Sequence, residues 1–199
     1  LLNDQTLSKE SFYEFSEELL AQVNNIGGLM DNLLHWANSQ MRGTNMNFKS
    51  VDITTLINKN IQLLNGIASN KNVTIFSEPY QPVWVYIDED MIDLVLRNLI
   101  SNAIKFCSSG DKVSIYIEDH YKVISVSVKD TGVGISEENI NKIMNNAIFS
   151  TSGTDGEKGT GLGLVLCKDF IEKNQGKFVI KSDGKGATFM FTLCKYHEN

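Results

Sequence analysis

A long apolar repeat near the start of the chain constrains the fold more than any other feature. After Ser8, apolar residues recur at spacings of three and four, close to a 3.5-residue period over about four heptads. They are Phe12, Phe15, Leu19, Val23, Ile26, Met30, Leu33, Ala37 and Met41. The pattern predicts one helix with Ser8 as its N-cap and Gly43 at its end. Because one helix cannot bury this stripe, we expect a second helix, from a neighbouring segment or a second copy, and hence a dimer.

The rest of the chain mixes strand and helix patterns behind a polar joint at residues 43–50. A short strand pattern begins at Val51, and further strand patterns occupy residues 73–77, 83–87, 113–118, 123–129, 178–182 and 187–193. Helical patterns occupy residues 56–67, 91–104 and 163–175, and a helical fragment occupies residues 137–145. We therefore predict two domains, residues 1–43 and residues 44–199. The second domain is predicted as α+β, a mixed, largely antiparallel sheet with three helices on one face.

Composition excludes several classes of protein. The net charge of −6 argues against a nucleic-acid partner. No apolar run approaches the roughly 20 residues of a membrane span, so no membrane contact is expected of this segment. The three cysteines lack a Cys-x-x-Cys pair, which favours free thiols in a reducing compartment. The first residue is not Met and no signal peptide follows it, so we expect a piece of a longer protein.

A glycine run near residue 160 opens directly into an apolar helix. Gly159, Gly161 and Gly163 alternate with other residues, and the helical pattern begins at Val165. Backbone amides at the positive end of such a helix bind phosphate well. Alone, the run also fits a bulge or a plain turn.

Three polar residues lie on one face of the helix predicted near residue 100. Asn98, Asn102 and Lys105 are spaced at i, i+4 and i+7. A carboxamide oxygen suits Mg²⁺, and a lysine one turn further can reach phosphate. The alternative is an ordinary solvated helix face.

Asp130 ends an apolar strand, and glycines follow it at Gly132 and Gly134. An ionised carboxylate is an acceptor only, which suits the exocyclic amine of adenine, and the glycines let backbone approach a ligand. The alternative is a hairpin turn. An aspartic protease is excluded, because no second Asp-Thr-Gly motif and no all-β pattern are present.

Four motifs in this order resemble the N, G1, G2 and G3 boxes of the catalytic domain of sensor histidine kinases. They are Asn-x-x-x-Asn-Ala-x-Lys-Phe from Asn98, Asp-x-Gly-x-Gly-Ile from Asp130, Gly-Thr-Gly-Leu-Gly-Leu from Gly159 and Gly-x-Gly-Ala-Thr-Phe from Gly184. The resemblance covers about residues 48–193 and implies a Bergerat-type ATP-binding α/β sandwich. The preceding helix, around residues 33–37, is similar to the second helix of the family's dimerisation and histidine-phosphotransfer hairpin.

The resemblance implies roles for the phosphate end of a site that binds ATP and Mg²⁺. Asn102 would be the Mg²⁺ ligand with Asn98 assisting, and Lys105 would contact phosphate. The glycine run would hinge a lid and present amides to the phosphates through Gly159, Thr160, Gly161, Leu162, Gly163 and Leu164.

The resemblance also implies the adenine end. Asp130 would accept a hydrogen bond from the adenine N6 amine, with Gly132 and Gly134 shaping the pocket. Phe106 would pack near the base, and Thr188 would lie beside it.

Residues 141–160 are predicted to form a lid over ATP that nucleotide orders, because the segment is too long for a plain connector. The family's F box is represented by Ala147, Ile148, Phe149 and Ser150. It lacks the family's usual second phenylalanine, so the resemblance does not imply the family's contact between the lid and the helices of the dimerisation hairpin, the stalk.

None of the three histidines fits the family's phosphoacceptor pattern. His35 is followed by Trp-Ala-Asn, His120 lies in a predicted hairpin and His197 in the tail. The resemblance therefore implies an acceptor on an upstream stalk helix, a homodimer through stalk helices, a response regulator as partner, and a cytoplasmic position in a membrane-anchored sensor. The alternatives are a nucleotide-binding pseudo-kinase that docks a partner, or another ATPase or protein-serine kinase of the superfamily.

Overall fold

The computed structural model describes residues 46–78, 81–157 and 159–196, and seven isolated positions nearer the start of the chain. Those positions are Phe12, Phe15, Ser16, Leu19, Val23, Gly27 and Met30. All seven are helical, as the repeat predicts, and the apolar ones are 50–62% exposed. The predicted helix ends and the boundary at residues 43 and 44 lie outside the described residues.

Seven strands form two sheets in this part of the chain, whereas the sequence predicts one. The smaller sheet pairs β1 (Phe48–Asp52) with β3 (Trp84–Asp88) in antiparallel fashion. β1 begins within the stretch predicted as a polar joint, because Phe48 stacks on Tyr86 of β3 with ring centroids 5.6 Å apart. The contact joins two strands that are distant in the sequence, so local residue spacing does not predict it.

The larger sheet has five strands and is mixed but largely antiparallel, as predicted. Its strands are β2 (Thr74–Ser77), β4 (Lys112–Asp119), β5 (Val123–Asp130), β6 (Phe178–Lys181) and β7 (Thr188–Cys194). Their order is β2-β4-β5-β7-β6, and β2 and β4 are the parallel pair. Alternate residues of β4 and β7 are buried, so one face of this sheet carries the core.

Four helices accompany the sheets: the three predicted helices, and a short one where the sequence predicts a helical fragment at residues 137–145. They are α1 (Ile53–Asn70), α2 (Glu89–Lys105), the short α3 (Glu137–Met144) and α4 (Gly163–Lys173). Asp52, Asp88 and Ser136 cap the first three by accepting hydrogen bonds from first-turn amides. α4 begins without a side-chain cap.

α2 lies at the centre of the core and carries the polar face predicted from sequence. Leu96, Leu99 and Ile100 are fully buried, and α2 packs against both α1 and α4. At its C-terminus, the Phe106 carbonyl accepts a hydrogen bond from the Val133 amide at 3.2 Å, in the turn that follows β5. The packing therefore brings the end of α2 to the end of β5.

The cysteines agree with the prediction of free thiols. Cys107 and Cys167 are buried and free, and burial raises the pKa of Cys107 to about 11. Within the described residues, no helix is both long enough and apolar enough to cross a membrane.

Candidate functional site

A cavity of about 470 Å³ lies between the C-terminal half of α2, the turn after β5, α3, the start of α4 and the start of β7. The predicted residues that line it are Asn98, Asn102, Lys105, Phe106, Asp130, Gly134, Gly159, Thr160, Gly161, Gly163 and Leu164. Gly132, Leu162 and Thr188 are predicted site residues that do not line it. The structure thus brings residues from all of the first three motifs to one cavity.

Asp130 is the buried acid of this cavity, with 3% of its surface exposed. Its Oδ1 accepts hydrogen bonds from the Gly132 amide at 2.9 Å and the Ala187 amide at 3.1 Å. Burial raises the pKa of the carboxyl, and the two amides oppose that rise. A fixed hydrogen-bond acceptor therefore stands at this end of the cavity, held by main-chain groups.

Glycines allow the main chain to approach closely around Asp130. A Cβ on Gly132 would lie 2.2 Å from the Phe106 carbonyl oxygen, so no side chain fits there. Gly186 has φ 71°, and its Cβ would lie 2.1 Å from the Asp130 carbonyl oxygen. The Gly186 amide donates to the Gly132 carbonyl at 2.7 Å. Gly132 therefore shapes the site from behind the cavity. Gly186, which the sequence does not predict as a site residue, allows an equally close approach of the main chain.

The polar face of α2 looks into the cavity instead of forming an ordinary solvated face. Asn98, Asn102 and Lys105 are all half-buried and line the cavity. The Asn98 amide nitrogen donates to the Leu94 carbonyl at 3.1 Å. Its Oδ1 faces α4, where a Cβ on Gly163 would lie 2.8 Å from that oxygen. The i, i+4, i+7 spacing thus predicts this face correctly.

Metal binding in the described residues would depend on amide oxygens. Nowhere in the described ranges do three His, Cys, Asp or Glu side chains group as a metal site. Asn98 and Asn102 line the cavity, and neutral carboxamide oxygens of this kind fit Mg²⁺ when phosphate oxygens complete its shell.

Lys105 places a cation in the lining of the cavity. Its Nζ donates to the Thr151 carbonyl at 3.1 Å and lies 5.0 Å from the centre of the Phe106 ring. Burial lowers the pKa of Lys105, Glu157 opposes this and Lys71 adds to it. An anion bound in the cavity would therefore stabilise the charged form of Lys105.

The uncapped N-terminus of α4 also opens on the cavity. Gly161, Gly163, Leu164 and Val165 all line it, so the first-turn amides lack a side-chain cap where the cavity begins. Gly161 has φ 74°, and its Cβ would lie 2.5 Å from the Phe149 carbonyl oxygen. Positive helix-end charge and a lysine thus face the same space, which suits a phosphate chain.

The predicted lid borders this space through two arms. Phe149, Ser150, Thr151 and Ser152 line the cavity on one arm, and Gly159 and Thr160 line it on the other. The Ser150 hydroxyl joins the arms by donating to the Gly159 carbonyl at 2.7 Å. The single aromatic residue of the F box, Phe149, therefore faces the cavity. Lys158 lies outside the described residues.

Thr188 is the predicted base contact that the structure does not bring to the cavity. It pairs with Lys129 in the sheet, and its neighbours Ala187 and Phe189 line the cavity. Because successive side chains of a strand alternate between faces, the Thr188 side chain points to the other face of the sheet. Ala187 takes its place near Asp130, through its backbone amide.

Sequence reasoning missed several apolar lining residues. They are Val133, Ile135, Ile143, Ala187 and Phe189. Ala187 and Phe189 lie within the fourth motif and could have been found from strand alternation. Ile143 of α3 is not marked by any motif, since its side chain reaches the cavity only through the packing of that helix.

Comparison with known proteins identifies a matching family. The profile described as histidine kinase-, DNA gyrase B- and HSP90-like ATPase matches residues 87–197. This range includes all of the site residues named above.

Individual relatives agree with that match. The sensor protein SrrB of Staphylococcus aureus (strain MRSA252) is 32% identical over 180 residues, covering 89% of this chain and 31% of that protein. The chain therefore spans about a third of the length of the curated relatives it matches.

Solved structures show the same fold. The catalytic domain of the histidine kinase ThkA is 32% identical and superposes with a TM-score of 0.67 over 75% of this chain and 99% of that one. The complex of ThkA with the response regulator protein TrrA superposes with a TM-score of 0.69 at 23% identity, over 98% of this chain and 53% of that one.

Proposed function

Given that the chain belongs to the histidine kinase-, DNA gyrase B- and HSP90-like ATPase family and carries the catalytic domain of a sensor histidine kinase, we propose that the protein transfers the γ-phosphoryl group of ATP to a histidine on a stalk helix. From there the phosphoryl group passes to an aspartate of a response regulator.

One observation carries this proposal: a single cavity is lined both by a buried acceptor and by positive groups, which we assign to the adenine end and the phosphate end of ATP. Asp130 can accept a hydrogen bond from an exocyclic amine. Lys105 and the uncapped start of α4 can hold phosphates. The half-buried Phe106 lines the cavity and can pack on the base. Together these groups match the chemical features of adenosine triphosphate.

Magnesium would rest on Asn102, with Asn98 on the same face of α2 assisting. When bound, the ion neutralises charge on the phosphate oxygens. The chain's own residues then position ATP, because phosphoryl transfer requires placement and charge neutralisation more than covalent chemistry by the enzyme. Gly159, Gly161 and Gly163 hinge the lid and bring backbone amides to the phosphates.

The acceptor histidine belongs, in this proposal, to a preceding stalk helix. His120 is the histidine within the described residues, and it lies 3.9 Å from Glu118 at the end of β4, outside the cavity lining. The exposed apolar positions of the first helix support pairing of stalk helices in a homodimer. ThkA forms a complex with the response regulator protein TrrA, which supports the same class of partner here. We place this segment on the cytoplasmic side of a membrane-anchored sensor.

The proposal is tested by titrating the chain with ATP and GTP, with and without Mg²⁺, in a calorimeter. We expect saturable binding of ATP, tightened by Mg²⁺, and much weaker binding of GTP, because Asp130 cannot accept from a carbonyl at the equivalent position of guanine. A nucleotide-binding pseudo-kinase would also bind ATP, and the phosphoryl-transfer assay distinguishes it from a kinase.

Phosphoryl transfer needs a separate assay on the longer protein that contains the upstream stalk helix. Incubation with Mg-ATP should give acid-labile phosphate on that protein and none on residues 1–199 alone. Acid-stable phosphate on serine would favour the protein-serine kinase alternative.

A further inference from the structure

A lysine outside the cavity contacts the lid from behind. Lys71 follows α1, and only 8% of its side chain is exposed. Its Nζ donates to Glu157 Oε1 at 2.6 Å and to the Lys105 carbonyl at 2.9 Å. It also lies 3.8 Å from Asp155 Oδ2. One ammonium thus joins α1, the end of α2 and the lid.

Glu157 closes a tight turn at the centre of the lid, residues 153–157, which we call the lid turn. Its Oε2 accepts a hydrogen bond from the Asp155 amide at 3.0 Å, and its carbonyl accepts one from the Gly153 amide at 2.8 Å. The Gly156 amide donates to the Gly153 carbonyl at 3.1 Å. The lid turn therefore has an internal hydrogen-bond framework centred on Glu157.

Thr154 provides the second attachment of the lid turn to the domain. Its amide donates to the Lys105 carbonyl at 3.2 Å, and its hydroxyl donates to the Cys107 carbonyl at 2.5 Å. The Lys105 carbonyl thus accepts from Lys71 and from Thr154. The lid turn and Lys71 meet at the C-terminal end of α2, where negative helix-end charge favours a cation.

The Lys71–Glu157 pair is less exposed to solvent than an ordinary surface pair. Burial opposes ionisation of Glu157, but the hydrogen bond from Lys71 and the amides of the lid turn outweigh it and lower its pKa. Because the Lys71 side chain is almost fully buried, removing Glu157 would leave an ammonium with fewer partners. The pair therefore holds the lid turn more firmly than a screened surface pair would.

The position of the lid turn determines the position of both lid arms. Thr151 and Ser152 precede it and line the cavity, and Gly159 follows it and lines the cavity too. The stem of Lys105 packs against it, since a Cβ on Gly153 would lie 2.7 Å from Lys105 Cγ. Fixing the lid turn thus fixes the carbonyl of Thr151 and the cation of Lys105.

We propose that Lys71 and Glu157 form a latch that positions the lid over the phosphate end of the cavity before nucleotide binds. This inference rests on the proposed function, because it treats that end as the phosphate site. Lys71 is a positioning residue in this scheme, since it acts through the lid and does not line the cavity.

The latch predicts a change in affinity that depends on phosphate. The apparent affinity is the intrinsic affinity multiplied by the fraction of molecules whose lid is in the binding-competent position. If losing the latch lowers that population to between a tenth and a fifth, ATP binding weakens about five- to tenfold. Adenosine contacts the Asp130 end alone, so its affinity should change less than about twofold.

The test compares Lys71→Met, Glu157→Gln, the double variant and the conservative Lys71→Arg by calorimetry with ATP and with adenosine. We expect Lys71→Met and Glu157→Gln each to weaken the binding of ATP but not of adenosine. The double variant should bind ATP no more weakly than Lys71→Met does, and Lys71→Arg should retain most of the affinity for ATP. Lys195→Met is the matched control, because Lys195 pairs with Asp119 at 2.7 Å away from the cavity.

The possible outcomes separate the latch from the proposed function. Parallel losses for ATP and adenosine, additive losses in the double variant, or unchanged or tighter ATP binding would each overturn the latch. If the unaltered chain did not bind ATP at all, the proposed function would fail and the latch with it.

Discussion

The two ends of the cavity are built in different ways. At the adenine end, Asp130 is held by amides of Gly132 and Ala187, and the glycine contacts leave no room for a side chain. At the phosphate end, the lid is held by side chains, chiefly Lys71 and Thr154. Main-chain contacts at the adenine end cannot break without disturbing the sheet, whereas each lid contact can break alone.

This difference matches two separate tasks, recognition of the base and entry and release of the nucleotide. An acceptor that discriminates between bases binds more tightly if it is fixed before the ligand arrives, because no free energy is then spent on orienting it during binding. A phosphate site must open to load ATP and release ADP, and local opening requires contacts whose individual free energies are small. The predictions below test this contrast, beginning with the largest expected effect.

Substitution of Gly186 should break the adenine end. Gly186→Ala places a Cβ 2.1 Å from the Asp130 carbonyl oxygen at φ 71°. We expect a loss of roughly 3–4 kcal/mol in the free energy of unfolding, measured by denaturant titration. Gly184→Ala is the matched control in the same turn, since Gly184 has φ 95° but nothing within 4 Å of its Cβ position. It should cost only about 1 kcal/mol. Equal losses would show that left-handed strain, and not close approach, limits this turn.

Replacement of the Asp130 carboxylate should separate binding from stability. In Asp130→Asn the side-chain oxygen can still accept from both amides, so the fold persists, but loss of the charged acceptor should weaken ATP binding by about 2 kcal/mol, or roughly 30-fold. Calorimetry with Asp183→Asn, an exposed change in the nearby turn, gives the control.

Burial raises the Asp130 pKa, so the ionised form is disfavoured in the folded state, and this contribution to stability improves as pH falls through that raised pKa. The Asn variant should lack this dependence. An Asn variant that binds ATP as tightly as the unaltered chain would contradict the adenine-end assignment.

Replacement of Asn102 should weaken the binding of ATP only when magnesium is present. Asn102→Ala is expected to weaken ATP binding in Mg²⁺ by about 1.4 kcal/mol, or tenfold, and to leave binding in EDTA and adenosine binding unchanged. Asn65→Ala on the exposed face of α1 is the matched helical control. A loss that persists in EDTA would make Asn102 a structural residue.

The smallest effect concerns pH and the lid turn. Glu157 has its pKa lowered from 4.5, so it favours the ordered lid above that value, and the contribution is lost as pH falls through the lowered pKa. Hydrogen exchange of the Asp155 amide should therefore speed up relative to Glu157→Gln as the pH is lowered from 4.5. The Gly132 and Ala187 amides should show no such difference. Mg-ATP should slow exchange across residues 150–157; no change there would contradict lid closure.

The sequence predicts best those features that depend on local spacing. The 3.6-residue period of α2 places Asn98, Asn102 and Lys105 on one face, and all three line the cavity. Asp130 ends an apolar strand and lines the cavity, whereas its role as the adenine acceptor stays a prediction.

Contacts between distant segments lie beyond such reasoning. The Phe48–Tyr86 stack extends β1, and the Lys71–Glu157 pair joins residues 86 positions apart. After α4, Gln175 and not the following Gly176 adopts the left-handed conformation, with φ 60°. Gly176 is required for another reason, since its Cβ would lie 2.1 Å from the Thr192 carbonyl oxygen. Thr188 is misplaced because motif matching ignores which face of a strand a residue occupies.

The backbone-held acceptor at Asp130 has a consequence for inhibitors that compete with ATP. A compound whose amine binds Asp130 would meet a surface where substitutions at Gly132 or Gly186 are expected to disrupt folding, so escape mutations there would also abolish nucleotide binding. A compound that gains its affinity from the lid meets side chains that can change one at a time. We therefore expect resistance to arise first among lid residues, and selection experiments on such compounds should recover changes near Thr154 and Glu157 before any near Asp130.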